Sequence, residues 1–405
     1  MQKNRQLARM KILMIAPQPF FQPRGTPFSV LHRLRALSLL GYRVDLVTYH
    51  LGQNVQIDNV HIHRAAPVPF VKKIAIGPSK AKVFLDVQVY RRAVELLKRN
   101  RYDLLHTHEE AGFMGIRLSR KFGTLHLYDM HSSLPQQLSN FKFTRSQKLI
   151  NLFERLEGMT IASAQAVITI CPELHNYVHA RYPAKYNKLI ENVADNSTVF
   201  GEHAAPLDLK KQYQLNGETI VLYAGTLEPY QGIGMLIESA ARVVQQHPHV
   251  RFMVVGGHPG QVQTHRERAQ RLGVGGQFLF TGQRPPEEIP QFMQLAHVLV
   301  SPRLEGNNTP LKIYSYLRSG VPIVATNHLT HTQVLNSEVA ALTECTPASF
   351  AQGLLRVLEN ETYRQKIAQN AQALAEREYS YEAYLRKTRE IYEYVESLLS
   401  KRAQE

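Results

Sequence analysis

Apolar positions fall into short blocks separated by stretches of helical periodicity, and that order occurs twice along the chain. Residues 11–17 read as a strand buried on both faces. Val30, Leu31, Leu34, Leu37 and Leu40 then recur at three- and four-residue spacing, predicting a helix capped by Thr26, with Pro27 at its first position and Gly41 at its end. Strands are expected at 43–48, 60–63, 103–108, 125–130 and 166–170, and helices over 82–99 and 146–162. An irregular, proline-containing stretch over 189–207 reads as a linker. The pattern restarts with strands at 220–225, 250–255, 278–282, 296–300 and 323–325 and helices over 233–246, 285–295 and 309–319. Strands alternating with helices imply parallel sheets, whose covered faces make each strand a continuous apolar run. The expected fold class is therefore α/β, with two Rossmann-like, doubly wound domains facing across a cleft, residues 1–197 and 198–380. An amphipathic helix over 381–405 is expected to pack back toward the first domain.

Composition narrows the partners. Cys171 and Cys345 are too few and too far apart for a disulfide framework, which points to a reducing, cytoplasmic setting. The basic N-terminus is followed by an apolar run too short for a signal-peptide core, and no segment approaches the roughly twenty apolar residues of a membrane span, so a soluble chain is expected. The net charge of +15 is confined to one half: residues 1–200 hold 28 Lys and Arg against 13 Asp and Glu, residues 201–405 hold 20 against 20. Such asymmetry suits an anionic membrane surface or a lipid-linked phosphate, approached through Lys72, Lys73, Lys80, Lys82, Arg91 and Arg92. Nucleic acid is not expected, because the basic half lacks interleaved aromatics and any recognised binding motif.

Candidate chemistry lies where strands end. Ser301 to Lys312 is a polar loop after a strand, and Thr309 with Pro310 reads as the cap and first residue of a helix closed by Ser319-Gly320. The open N–H groups and positive pole of that helix, with Lys312 in its first turn, suit a phosphate or diphosphate. In the first half, Arg24-Gly25 follows the first strand, His106-x-His108 precedes Glu109-Glu110, and Asp129-x-His131 ends another strand. The histidine spacing matches no zinc pattern, so no metal site is expected. There is no Walker loop, Gly232-Ile233-Gly234 lacks a third glycine, and the seven aspartates include no Asp-x-Asp pair for a metal-bound nucleotide. An anion here has to be held by helix N-termini, Arg and Lys.

Several short motifs, taken in order, resemble the retaining glycosyltransferases of family four, which have the GT-B fold. These are Arg24-Gly25-Thr26, Asp129-Met130-His131, Glu191-Asn192, Tyr223 to Pro229, Val255-Gly256-Gly257, Phe280-Thr281-Gly282, and Thr309-Pro310-Leu311-Lys312 through Gly320-Val321-Pro322. The resemblance implies a hexose moved with retention from a nucleotide-diphosphate sugar, without a metal or other cofactor, to a lipid-linked or glycan acceptor. That would place the chain in surface polysaccharide or glycolipid synthesis, peripheral at the inner face of the cell membrane. His131, supported by Asp129, takes the catalytic position beside the anomeric centre. Donor-binding positions are Gly25, Gly225, Thr226, Gln231, Gly257, Arg284, Arg303, Asn307, Asn308, Thr309, Leu311, Lys312 and Ser315. The sequence departs from the family at four of them. Thr226 and Gln231 stand where relatives place an Arg and a Lys, and Asn307 and Ser315 where they place two glutamates eight residues apart. Arg303 and Lys312 are the candidates for the replaced charge. Those losses keep two alternatives open, a non-catalytic sugar-nucleotide-binding subunit or a GT-B epimerase or phosphorylase.

Overall fold

In the computed structural model, residues 9–22, 25–71, 74, 80–135, 146–193, 206–402 and 404 are described. The chain divides into two compact units, residues 1–191 with 384–405, and residues 192–383.

The first unit runs β1 (Lys11–Ile15), α1 (Gly25–Leu39), β2 (Arg43–Thr48), β3 (Val60–Arg64), α2 (Lys80–Arg99), β4 (Leu104–His108), α3 (Ala111–Phe122), β5 (Leu125–Met130), α4 (Gln147–Ser163), β6 (Ala166–Thr169), α5 (Pro172–Arg181) and β7 (Tyr186–Leu189). Its seven strands are ordered β3-β2-β1-β4-β5-β6-β7, all parallel. The order reverses between β1 and β4, the point at which open α/β sheets collect their ligands. Central β4 and β5 are buried along their whole length, whereas edge strand β7 is only partly covered. Strand β7 was not expected: Tyr-Asn-Lys-Leu has neither an apolar run nor alternation, since an edge strand needs only one face covered.

The second unit contains β8 (Thr219–Ala224), α6 (Ile233–Gln246), β9 (Val250–Val255), α7 (Pro259–Arg271), β10 (Phe278–Gly282), α8 (Ile289–Leu295), β11 (Val298–Ser301), α9 (Leu311–Arg318), β12 (Ile323–Thr326), β13 (Ala341–Thr343), α10 (Pro347–Glu359) and α11 (Glu361–Tyr379). Its six parallel strands are ordered β10-β9-β8-β11-β12-β13 and reverse between β8 and β11. One apolar layer around Tyr223, Ile237, Phe252 and Phe350 and another around Leu222, Phe292, Tyr314 and Leu317 sandwich the sheet. Helix α12 (Tyr381–Arg402) follows, and from Tyr384 onward it belongs to the first unit.

Two helix starts differ from expectation. Helix α1 begins at Gly25, a residue before its expected cap. Helix α9 begins at Leu311, so Pro310 occupies the cap position with extended ψ of 134° and offers no side-chain cap. The shift lies in Pro310 itself: its φ of −63° suits a helix, but its extended ψ leaves it outside the first turn. The 285–295 helix is likewise a single 3₁₀ turn, Pro286–Glu288, followed by α8.

Candidate active site

In the second unit, the loops after β8 and β11 carry the site. Gly225 has φ of +153° and a Cβ there would meet the Tyr223 hydroxyl at 3.0 Å and Lys312 Nζ at 3.4 Å. Gly256 (φ +127°) is required because a Cβ would collide with the Gly225 carbonyl, and at Gly257 it would collide with Leu227. These glycines let the loops after β8 and β9 close on each other. Lys312, in the first turn of α9, lies with Nζ 3.8 Å from the centre of the Tyr223 ring and donates a long hydrogen bond of 3.5 Å to Gln231 Oε1. Gln231 Nε2 in turn donates to Thr226 Oγ1 at 3.4 Å. Burial, then the charge of Arg303, drives the Lys312 pKa well below its ordinary value. Arg303 lies over the Tyr230 ring at 5.1 Å, donates from Nε to the Glu305 carbonyl at 2.8 Å, and is itself lowered by burial. Among the described residues neither cation is paired with a carboxylate. Two neighbouring, partly desolvated cations repel each other, and a bound anion relieves both costs. The buried Thr309 Oγ1, just before α9, has no hydrogen-bond partner among the described residues.

The structure thus gathers Gly225, Thr226, Gln231, Arg303, Thr309 and Lys312 of the expected donor residues. Leu311, Asn307, Asn308 and Ser315 lie on the same loop and first turns of α9, partly exposed, and the Asn307 carbonyl accepts from Gln333 Nε2 at 2.5 Å. Arg284 is engaged elsewhere, with Nε 2.7 Å from Glu288 Oε2. Gly25 opens α1 in the first unit; Arg24 falls outside the described residues.

The first unit holds a second constellation, at the ends of β4 and β5. Parallel register sets His108 opposite Asp129. Asp129 is 1% exposed and surrounded by basic side chains: Oδ1 lies 3.2 Å from His131 Nε2, and Oδ2 lies 3.3 Å from Arg33 Nε and 3.4 Å from His106 Nε2. Burial opposes its ionisation, but His131, Arg33 and His108 prevail and hold its pKa well below the carboxylate range. The same contest raises His131: burial disfavours the imidazolium, and the Asp129 charge more than offsets it. Burial wins for His106 and His108, which are lowered. The cluster is therefore a carboxylate whose charge favours the protonated form of His131, flanked by two imidazoles whose burial favours the neutral form, with His131 Nε2 2.9 Å from His108 Nδ1. Donor atoms of His106, His108 and Asp129 lie within 4.8 Å of one another, close enough for a cation. Arg33 already occupies that space electrostatically, and a divalent ion would sit against its guanidinium.

Arg33 escaped the sequence reading. Its signal was present, a charged residue set three after Val30 on the apolar stripe of α1. Of the residues expected to meet a membrane, Arg91 is exposed, Arg92 is held by Glu95 at 2.6 Å, and Lys72, Lys73 and the side chain of Lys80 lie outside the described residues.

Residues 207–374 match the model of glycosyl transferases group 1, and residues 24–190 that of the glycosyl transferase 4-like domain. The chain belongs to the group 1 glycosyltransferases. Its fold is GT-B, as expected. A phosphatidyl-myo-inositol mannosyltransferase of Mycobacterium tuberculosis is 24% identical over 95% of this chain and 97% of its own. Sucrose-phosphate synthase of Thermosynechococcus elongatus superposes with a TM-score of 0.74 at 20% identity, over 96% of this glycosyltransferase and all of that chain. Anabaena HepE, solved with UDP, gives 0.73 at 19% identity over 96% of this chain and all of its own.

Proposed function

We propose that this glycosyltransferase takes a nucleotide-diphosphate hexose as donor and transfers the hexose with retention to a lipid-linked or glycan acceptor, without a metal. The observation that carries this reading is the adjacent pair Lys312 and Arg303, unpaired with any carboxylate among the described residues, at the N-terminus of α9 beside Gly225. Helix N–H groups, two cations and the Thr309 hydroxyl supply what a diphosphate requires, and replace the charges absent at Thr226 and Gln231. HepE is described in complex with UDP and with UDP-glucose, which supports a nucleotide-sugar donor. The negative charge that develops as the glycosidic bond breaks falls on the leaving diphosphate, so these residues stabilise the leaving group. Retention without a carboxylate nucleophile is met by same-face displacement, in which the leaving diphosphate accepts the acceptor's proton. His131, with Asp129 fixing it, then serves as acceptor-side support.

A lipid acceptor is favoured by the surface of α2. Phe70, Val83, Phe84 and Val87 are exposed by 68, 62, 55 and 45%, and the Phe70 and Phe84 rings meet edge to face at 5.5 Å. With Lys82 and Arg91 on the same helix, the patch suits an anionic lipid surface. The mannosyltransferase relative is named for a phosphatidyl-myo-inositol substrate, which accords with that acceptor class and with surface polysaccharide or glycolipid synthesis at the inner membrane face. No described helix is long and apolar enough to cross a membrane.

The test is transfer in the presence of EDTA from labelled UDP-, GDP- and ADP-hexoses to a membrane lipid extract, with the anomeric proton coupling of the product read by NMR. A lipid-extractable product with the donor's anomeric configuration supports the proposal. An inverted product, or transfer that requires added divalent metal, contradicts it.

A further inference from the structure

Tyr384, Thr388 and Tyr392 recur every four residues on α12 and so share one stripe of that helix. Each meets the back of the Asp129 cluster. The Tyr384 ring lies 5.0 Å beneath the Arg33 guanidinium. Thr388 Oγ1 accepts a hydrogen bond of 2.9 Å from Arg33 Nη1, and Tyr392 is 2.6 Å through its hydroxyl from His106 Nδ1. Arg33 and His106 in turn converge on a single oxygen, Asp129 Oδ2, leaving Oδ1 to face His131. With the Tyr392 hydroxyl as donor, His106 is the tautomer protonated on Nε2, and that nitrogen lies 3.4 Å from Asp129 Oδ2, a charge contact rather than an aligned hydrogen bond.

A stripe of leucines would bury this helix at lower cost, because each buried hydroxyl and guanidinium must be satisfied to avoid a penalty. Thr388 is fully buried, as is Tyr392, so neither polar group is there for solvent. We infer that Thr388 and Tyr392 are positioning residues for glycosyl transfer: through Arg33 and His106 they lock the Asp129 carboxylate in the rotamer that presents Oδ1 to His131. The inference rests on the reading of His131 and Asp129 as the acceptor-side centre. It makes the last helix of the chain part of the catalytic machinery rather than a packing element alone.

Thr388→Val, Thr388→Ser and Tyr392→Phe, made in the full chain, test it. With UDP-glucose and the other donor hexoses as probes, Thr388→Val and Tyr392→Phe are expected to lower kcat about ten- to a hundredfold, to leave donor KM within about twofold, and Thr388→Ser to recover most of the loss. Long-range ¹⁵N–¹H spectra of the imidazoles provide a readout free of substrate: His106 is expected as the Nε2–H tautomer in the parent and as a tautomer mixture in Tyr392→Phe. Unchanged kcat and unchanged His106 signals in both variants overturn the inference, as does a loss of kcat that Thr388→Ser fails to recover. His131→Ala separates the two readings. If it retains full turnover, the acceptor-side assignment fails; if it is inactive while the α12 variants are not, only the positioning role fails.

Discussion

At the scale of single residues, burial decides which histidines carry charge. His126 and His331 are buried without a carboxylate, and burial pushes both pKa values down to about 3. His331 lies 2.8 Å from Ser301 Oγ and 2.9 Å from the Thr326 carbonyl; burial, helped by the charges of Lys312 and Arg303, outweighs the carbonyl, which alone would favour the protonated ring. A lowered folded pKa means that the unfolded chain binds more protons between about pH 3 and 6.5. Stability is then complete above pH 6.5 and is lost as pH falls toward 3, by about 2 kcal/mol per histidine at pH 5. His131 has the opposite sign: its raised pKa contributes stability below its unfolded value and loses it as pH rises through the folded one. Scanning calorimetry of the parent and His331→Gln should show their stability difference narrowing from pH 7 to pH 5. Parallel curves would show that His331 is not a buried neutral imidazole. The same scale explains what the sequence concealed. Asp129 and His131 were legible because a strand end with Asp-x-His is polar where the strand is apolar, whereas Thr388 and Tyr392 read as ordinary members of an amphipathic helix until their partners, more than 280 positions away, were known.

Among elements, the strands were the most legible parts of the sequence. Strands β8 to β12 are covered on both faces and so appear as unbroken apolar runs, each close to its expected position. Helix α7 was missed because only Val262 and Ala269 of its thirteen residues are buried, too few for a periodic stripe, although His258 and Gln261 form a capping box at its start. Helix starts at prolines were displaced in opposite directions: α1 takes in Thr26 before Pro27, whereas α9 leaves Pro310 outside. The donor loops depend on close backbone approach more than on side chains, and the Val255-Gly256-Gly257 motif is explained by it. Gly256→Ala sets a methyl group against the Gly225 carbonyl at a φ that L-residues rarely adopt. It should lower stability by about 2 kcal/mol or more and weaken donor binding together. A folded Gly256→Ala variant with unaltered donor affinity would show that the approach of the two loops is dispensable.

Over the molecule as a whole, charge is divided unevenly. The first unit carries the basic surplus and the exposed aromatic pair Phe70 and Phe84; the second holds 15 Lys and Arg against 17 Asp and Glu, with Lys312 and Arg303 unpaired with any carboxylate among its described residues. Phe84→Asp removes an apolar contact and places a negative charge in the patch, and should reduce sedimentation with vesicles of phosphatidylglycerol and phosphatidylethanolamine about tenfold. Equal sedimentation of parent and variant would move the membrane surface elsewhere. Whether Lys312 and Arg303 hold a donor diphosphate is tested by calorimetric titration. The purified chain, in EDTA, would be titrated with UDP, GDP, ADP and their hexoses, alongside Lys312→Ala and Asn307→Ala. One nucleotide series is expected to bind at about micromolar Kd, weakened at least tenfold, or about 1.4 kcal/mol, by Lys312→Ala and less by Asn307→Ala. Binding that Lys312→Ala leaves intact would contradict this assignment, and no nucleotide binding at all would contradict it and favour the non-catalytic reading.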